Sequence, residues 1–275
     1  MRLAVYLLFL FCTIANLSAE KVVGNVVSQI DKSPVMYAHI FCKGYAIGVL
    51  TDENGRFEID QNSCMPADTL QISCVGYETQ HICYRDLLND TTIHLEPVTI
   101  QLSEVVVLGN HKYKIKKGIG VRIPGGSGEL NNVIDSLRGF SELGTVFNFK
   151  KPFVIENILF KITKSGPSDS YFRLNIYEIK NDSTFYLKNT VNEIVKIERN
   201  KKDFLYKFPI HIAEALTGKI YVSFEIIKFS EAEEDNKIII PAYLGSSFVK
   251  VYRDQKFISH PISLGLKVKG KELQN

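Results

Sequence analysis

The sequence predicts an all-β chain folded as two successive sandwiches. Short runs rich in Val, Ile, Tyr and Phe recur between Gly and Pro, and the spacing of amphipathic helices is scarce. The second observation is a break in charge near Gly109. Residues 20–108 carry 5 Lys and Arg against 12 Asp and Glu, whereas residues 109–275 carry 27 against 18. With 17 Phe, 13 Tyr and no Trp among 275 residues, most aromatics are needed to fill two cores and few are left as ligand platforms.

Residues 1–19 read as a secretory signal peptide. Arg2 is the single charge of the n-region, Leu3 to Ala15 is an apolar run, and Leu17-Ser18-Ala19 ends in a small residue suited to cleavage. The run is shorter than the roughly 20 residues a membrane-spanning helix needs. A lipoprotein would be anchored through Cys12, but Phe11 is too bulky for the position before it. No later stretch reaches spanning length, so a mature chain without a transmembrane segment is expected in the periplasm or at the outer membrane or cell surface.

Residues 20–108 form the first expected domain. Val22, Gly24 and Val26 open a strand, Lys32-Ser33-Pro34-Val35 turns, and Ala38 to Cys42 follows. Ile47 to Thr51 and Arg56 to Ile59 flank Asp52-Glu53-Asn54-Gly55, and Asn-Gly between apolar runs signals a hairpin. Calcium at Asp52 and Asn54 is not expected, for want of the remaining loop ligands. Leu70, Ile72 and Cys74 alternate with Gln71 and Ser73 as a half-buried strand, Gly76 turns the chain into Glu78 to Cys83, and Thr92 to Leu95 closes the set. Cys42, Cys64, Cys74 and Cys83 are candidate disulfide cysteines, since four cysteines in an oxidising compartment allow three pairings. Cys42 and Cys74 share parity with core positions, so buried free thiols are the alternative. Zinc is disfavoured, because no Cys-x-x-Cys exists.

Three ordered motifs make this stretch recognisable: Thr51-Asp52-Glu53-Asn54-Gly55-Arg56-Phe57, Ser73-Cys74-Val75-Gly76-Tyr77-Glu78-Thr79, and Leu102-Ser103-Glu104-Val105-Val106-Val107. Together they resemble the carboxypeptidase regulatory-like (prealbumin-like) domain. The resemblance implies a seven-stranded β-sandwich without catalytic residues, similar to the accessory domain of metallocarboxypeptidases and to the N-terminal extension of TonB-dependent outer-membrane receptors. Cysteines where family members carry apolar residues are a departure. Only 167 residues follow Leu108, too few for a plug and a barrel, so a transporter is not expected.

Residues 109–141 read as a basic linker (His111 to Lys117), a Gly-rich loop (Pro124 to Gly128) and one short helix (Asn132 to Phe140). Residues 142–275 follow as the second domain. Its strands are read as Leu143–Phe149, Val154–Thr163, Tyr171–Ile179, Val191–Ile197, Phe204–Phe208, Lys219–Ile227, Lys237–Leu244, Phe248–Tyr252 and Ile262–Val268. Turn-length connections suit a larger, jelly-roll-like sandwich. Phe172 to Tyr177 and Ile262 to Leu266 resemble the C-terminal half of uncharacterised envelope proteins that pair such a sandwich with a regulatory-like domain.

No motif here carries enzyme chemistry, and no catalytic residue, metal or cofactor is expected. His211-Ile212-Ala213-Glu214 has the spacing of two zinc ligands, but only His260 follows as a third and no α/β catalytic domain accompanies it. Gly126-Ser127-Gly128 lacks the strand-to-helix setting of a nucleophile elbow, and no Gly-x-Gly-x-x-Gly is present. Glu231 to Asp235 reads as a solvated loop. Tyr243, Tyr252 and Arg253, with Asp254, Gln255, Lys256 and Phe257, are the candidate ligand site, because a ring can stack on a sugar while charged donors bond its hydroxyls. A hairpin tip capped by core aromatics gives the same pattern.

The expected function is a non-catalytic cell-envelope binding or structural module engaging an envelope protein; the alternative is a carbohydrate-binding module of a glycan-handling system. Nucleic acid is not expected as a partner, because the chain reads as exported and its lysines are scattered among strands and turns. The basic second half suits an acidic glycan, lipid headgroups or the acidic first domain. The mature protein should begin at Glu20 and carry no lipid. Intact-mass measurement of protein from the native envelope tests this, and an acylated N-terminal cysteine would refute it.

Overall fold

The computed structural model describes residues 20–43, 48–98, 113–120, 127–129, 141–189, 191–210, 212, 214–228, 238–251 and 256–273. The signal-peptide reading of residues 1–19 and the helix expected at 132–140 lie outside the described residues. The chain falls into two compact units, one ending at Leu95 and one running from Glu96 onward together with the short segment Cys74–Glu78.

Among the described residues the first unit has seven strands in two sheets. They are β1 (Lys21–Ser28), β2 (His39–Cys42), β3 (Gly48–Leu50), β4 (Arg56–Asp60), β5 (Thr69–Ser73), β6 (Gln80–Cys83) and β7 (Thr92–Leu95). One sheet has the order β4-β1-β7 and the other β3-β2-β5-β6. Alternation along β1 puts Val22 and Val26 inside and Lys21, Val23 and Asn25 outside. Val26, Ile40, Leu70, Ile72, Leu87 and Leu95 form the centre of the core, each at most 1% exposed.

The Asp52–Arg56 turn forms, but it does not make the expected hairpin. Asp52 Oδ1 accepts hydrogen bonds from the N–H of Asn54 (2.8 Å) and of Arg56 (2.9 Å), and Gly55 takes φ +72°. β3 and β4, on either side of it, belong to different sheets, so the turn is the corner where the chain crosses between them. Thr51 holds that corner from inside: its hydroxyl donates to Val35 O (2.7 Å) and accepts from the N–H of Ala38 (2.8 Å). A short helix absent from the strand pattern, α1 (Tyr84–Asn89), buries Tyr84 and Leu87.

The second unit is a single antiparallel sheet of eleven strands among the described residues. In chain order these are β8 (Tyr113–Gly120), β9 (Ser127–Glu129), β10 (Ser141–Lys164), β11 (Ser170–Lys180), β12 (Thr184–Leu187), β13 (Ile194–Ile197), β14 (Lys202–Pro209), β15 (Leu216–Lys228), β16 (Ile239–Val251), β17 (Lys256–Leu264) and β18 (Leu266–Leu273). The stretch read as a basic linker therefore supplies a strand, since β8 pairs with β18. The ladder recruits it because the edge of β18 would otherwise leave its N–H and C=O groups unpaired.

β10 organises this unit. Two expected strands are one here, 24 residues long, with a register shift between Phe149 and Phe153, where Lys150-Lys151-Pro152 intervenes and Pro152 has no N–H to give the ladder. Its first half pairs with β15 and β16, and its second half with β14 and β18. Apolar residues of both halves, including Phe147, Phe149, Phe153, Ile158 and Phe160, meet Leu174, Ile176, Val222, Phe224 and Val268 in one core. The sheet thus curls round a common interior, as a sandwich does.

Gly144 lies close against the backbone of β15. A Cβ there would run into the carbonyl oxygen of Val222 and the backbone of Ser223. Gly144→Ala should destabilise the protein by about 1–3 kcal/mol through overpacking, against almost no change for the exposed Ser246→Ala. Thermal denaturation of the two variants tests this, and equal melting temperatures would refute it.

Candidate functional site

The path β12-β11-β15-β10-β16-β17 has two faces. Even-numbered residues of β11 and β15 enter the main core, so the odd-numbered ones point the other way, and that opposite face holds the unit's buried charges. Register places four of them in one row across four strands: Arg173 of β11 opposite Glu225 of β15, Glu225 opposite Glu142 of β10, and Glu142 opposite Lys250 of β16. Arg173, Glu225 and Glu142 are each at most 1% exposed.

Like charges directly opposite one another across a sheet are destabilising, so the two central carboxylates need compensation. Arg173 supplies it on one side, with Nη1 at 3.0 and 3.2 Å from the Glu225 oxygens and Nε donating to Asn192 Oδ1 at 2.7 Å. Asn175 adds a further hydrogen bond to Glu225 at 3.0 Å. On the other side Lys250 Nζ lies 3.2 Å from Glu142, which also accepts from Tyr177 (2.9 Å) and Ser223 (2.8 Å). Burial, with Glu142 beside it, holds the Tyr177 hydroxyl well above the ordinary tyrosine range, so it remains a proton donor.

Beyond this row the same face becomes aromatic. Phe185 of edge strand β12 stacks on Phe257 of edge strand β17, with centroids 3.7 Å apart and planes 10° apart. Tyr177, Tyr221 and Phe248 pack around them, and Lys250 Nζ lies 5.4 Å from the ring centres of Tyr177 and Phe257. The two edges of a six-strand path thus meet through their side chains, which shows that the sheet curls over its charged row.

Chemically the row is a closed structural network. Each carboxylate has a cationic partner and hydroxyl or amide donors, and water has almost no access. Only Asn175 Oδ1, among the row's described side-chain atoms, has no hydrogen-bond partner.

The sites expected from sequence distribute as follows. Tyr243 is half-buried within β16 opposite Ser263. Val251, which precedes Tyr252, is eight residues further along that strand, roughly 25 Å away at strand rise. Tyr252 and Arg253 lie outside the described residues, as do His211 and Glu231 to Asp235. Phe257, noted beside the hairpin tip, belongs to the aromatic clasp. Glu214 forms an ion pair with Lys188 at 2.8 Å. Among the described residues no group of three or more His, Cys, Asp or Glu is arranged to hold a metal ion.

Cys42, Cys64, Cys74 and Cys83 are free thiols, the first three buried. Cys42 and Cys64 hydrogen-bond each other, and burial followed by that contact pushes the Cys64 thiol up to about 12. The Cys83 thiol donates to Pro66 O at 3.1 Å.

The charged row went unread in the sequence, although it left a trace there. Phe172-Arg173-Leu174-Asn175-Ile176 and Phe224-Glu225-Ile226 interleave polar groups with core residues, which marks a second buried face.

Residues 22–107 match the CarboxypepD_reg-like domain family, about a third of the chain. The chain is 29% identical over 105 residues to the TonB-dependent receptor SusC of Bacteroides thetaiotaomicron, covering 38% of this chain and 10% of the receptor. It is 32% identical over 137 residues to the TonB-dependent receptor P39 of Formosa agariphila, covering 48% and 13%. The chain therefore spans about a tenth of the length of these curated relatives.

Among solved structures, the cysteine protease and lectin-like domains of Cwp84, a surface-layer-associated protein of Clostridium difficile, align with TM-score 0.35 and 11% identity, over 50% of this chain and 32% of that one. A propeptide-cleaved form of Cwp84 aligns with TM-score 0.36 and 10% identity, over 93% and 66%. Likeness at this level says nothing about activity.

The network predicts a specific pattern of stability loss. Glu225→Gln or Arg173→Met should each cost about 3–5 kcal/mol, because each leaves a partner charge buried and uncompensated. The double variant should cost less than the sum of the two. Chemical denaturation in a double-mutant cycle tests this, and strict additivity would show that the pair does not couple.

Proposed function

We propose that this protein is a non-catalytic, exported module of the cell envelope that binds an envelope protein. The supporting observation is the CarboxypepD_reg-like domain at residues 22–107, which aligns with parts of two TonB-dependent receptors. A domain shared with receptors is suited to the compartment in which those receptors work. Export rests on the apolar run after Arg2 and its small-residue ending. Among the described residues no helix is long and apolar enough to cross a membrane.

A second reading, carbohydrate binding by the larger unit, is favoured by the excess of Lys and Arg over Asp and Glu in residues 109–275. Affinity purification of the tagged protein from solubilised native envelopes separates the two. One envelope protein recovered in stoichiometric amount, and retained after glycosidase treatment, is the expected result. Recovery of glycan alone would replace the first reading with the second, and turnover of any recovered ligand would overturn both.

A further inference from the structure

The second half of β10, flanked by β14 and β18 with β8 beyond, presents a face turned away from the core. Ile158, Phe160 and Ile162 point inward, so Asn157, Leu159 and Lys161 point outward. On the flanking strands the outward positions include Lys207, opposite Leu159 from β14, and Lys267 and Lys269, opposite Leu159 and Asn157 from β18.

Two lysines on this face are neutralised, Lys161 by Asp203 at 2.6 Å and Lys271 by Glu156 at 2.8 Å. Lys207, Lys267 and Lys269 make no ion pair among the described residues. β8, which borders β18, brings no acid to offset them: from Gly109 to Gly128 the chain contains Lys and Arg but no Asp or Glu. Neighbouring strands lie about 4.8 Å apart and alternate residues along a strand about 7 Å apart. The three ammonium groups therefore spring from positions roughly 7–12 Å from one another around Asn157 and Leu159. Folding has gathered like charges on one sheet face, a pattern that a polyanion complements.

We infer that this face is a binding surface for an acidic polysaccharide, whose carboxylate or sulfate groups recur along an extended chain at intervals that such a lattice of lysines can meet. The inference deepens the carbohydrate reading above and rests on it. A bilayer fits less well, because Leu159 at the centre of the lysines is 7% exposed and offers no wedge for an acyl region. Leu205, 56% exposed, also projects from this face. Asn157 supplies an amide that can bond a sugar hydroxyl between the charges.

The test uses the full mature protein with polygalacturonate and dextran sulfate as probes, neutral dextran as reference, and phosphatidylglycerol vesicles as the competing surface. Binding to both acidic polymers is expected, weakening steeply as salt rises. It should fall at least tenfold in Lys207→Glu/Lys267→Glu/Lys269→Glu. The charge-matched Lys32→Glu/Lys43→Glu/Lys180→Glu, placed elsewhere, should bind like wild type. Melting curves of both variants establish that they fold; if the triple variant does not, Lys→Gln at the same three positions gives the same readout. Equal loss in both variants, or vesicle binding without polymer binding, would overturn the proposal. Binding of neutral dextran alone would overturn it while leaving the broader carbohydrate reading intact, and no binding to any polymer would remove both.

Discussion

Everything distinctive about the larger unit depends on the charged row that crosses it. Arg173, Glu225, Glu142 and Lys250 come from four strands and lie in register, with two carboxylates between two cations. Taking such groups out of water costs several kcal/mol per ion, and their attraction recovers that only when geometry is good and the remaining lone pairs are filled. Asn175, Tyr177 and Ser223 fill them, and Asn192 Oδ1 accepts from Arg173 Nε. A slip of one residue in any of these strands would turn its charge into the apolar core on the opposite face. The row therefore acts as a register lock, and its contribution is to specificity of fold more than to net stability.

The curl of the sheet follows from that lock. With one face filled by the main core and the other by charges that cannot meet water, the second face also needs covering. Bringing Phe185 and Phe257 together from the two edge strands closes the path over the row and shields the edges of a sheet that would otherwise stay open. Tyr221, wholly buried, donates its hydroxyl to the Phe248 carbonyl and ties the centre of the sheet to the same clasp. Outside the curl the requirement reverses: the face of β14, β10 and β18 that looks away from the core is free to carry lysines, because solvent screens them.

The smaller unit solves its topology with backbone geometry instead of charge. Its Asp52–Arg56 turn carries the chain from one sheet to the other, with Gly55 in the left-handed region and Thr51 satisfying the buried groups at the corner. The local motif was legible, since Asp-x-Asn-Gly specifies a tight reversal by itself. Whether the flanking strands pair with each other or with partners elsewhere is a question of long-range contacts, and here they part.

By itself the sequence determined that the chain is almost wholly strand, where most strands run, and that residues 20–108 carry a recognisable domain. These properties are local: alternation of Val, Ile and Phe with polar residues, turn chemistry at Asp52–Gly55, and ordered motifs are all written within a few residues. Tertiary structure decided which strands fuse, as at Phe149 to Phe153, and that a basic stretch read as linker completes a sheet edge. It also decided the charged row. Alternation shows that Arg173 and Glu225 lie on the face opposite Leu174 and Phe224, but it cannot name their partners. Arg173 meets Glu225 52 positions away, Ser223 meets Glu142 across 81, and Lys250 meets Glu142 across 108. Such pairings depend on strand order and register, which form only when the sheet assembles.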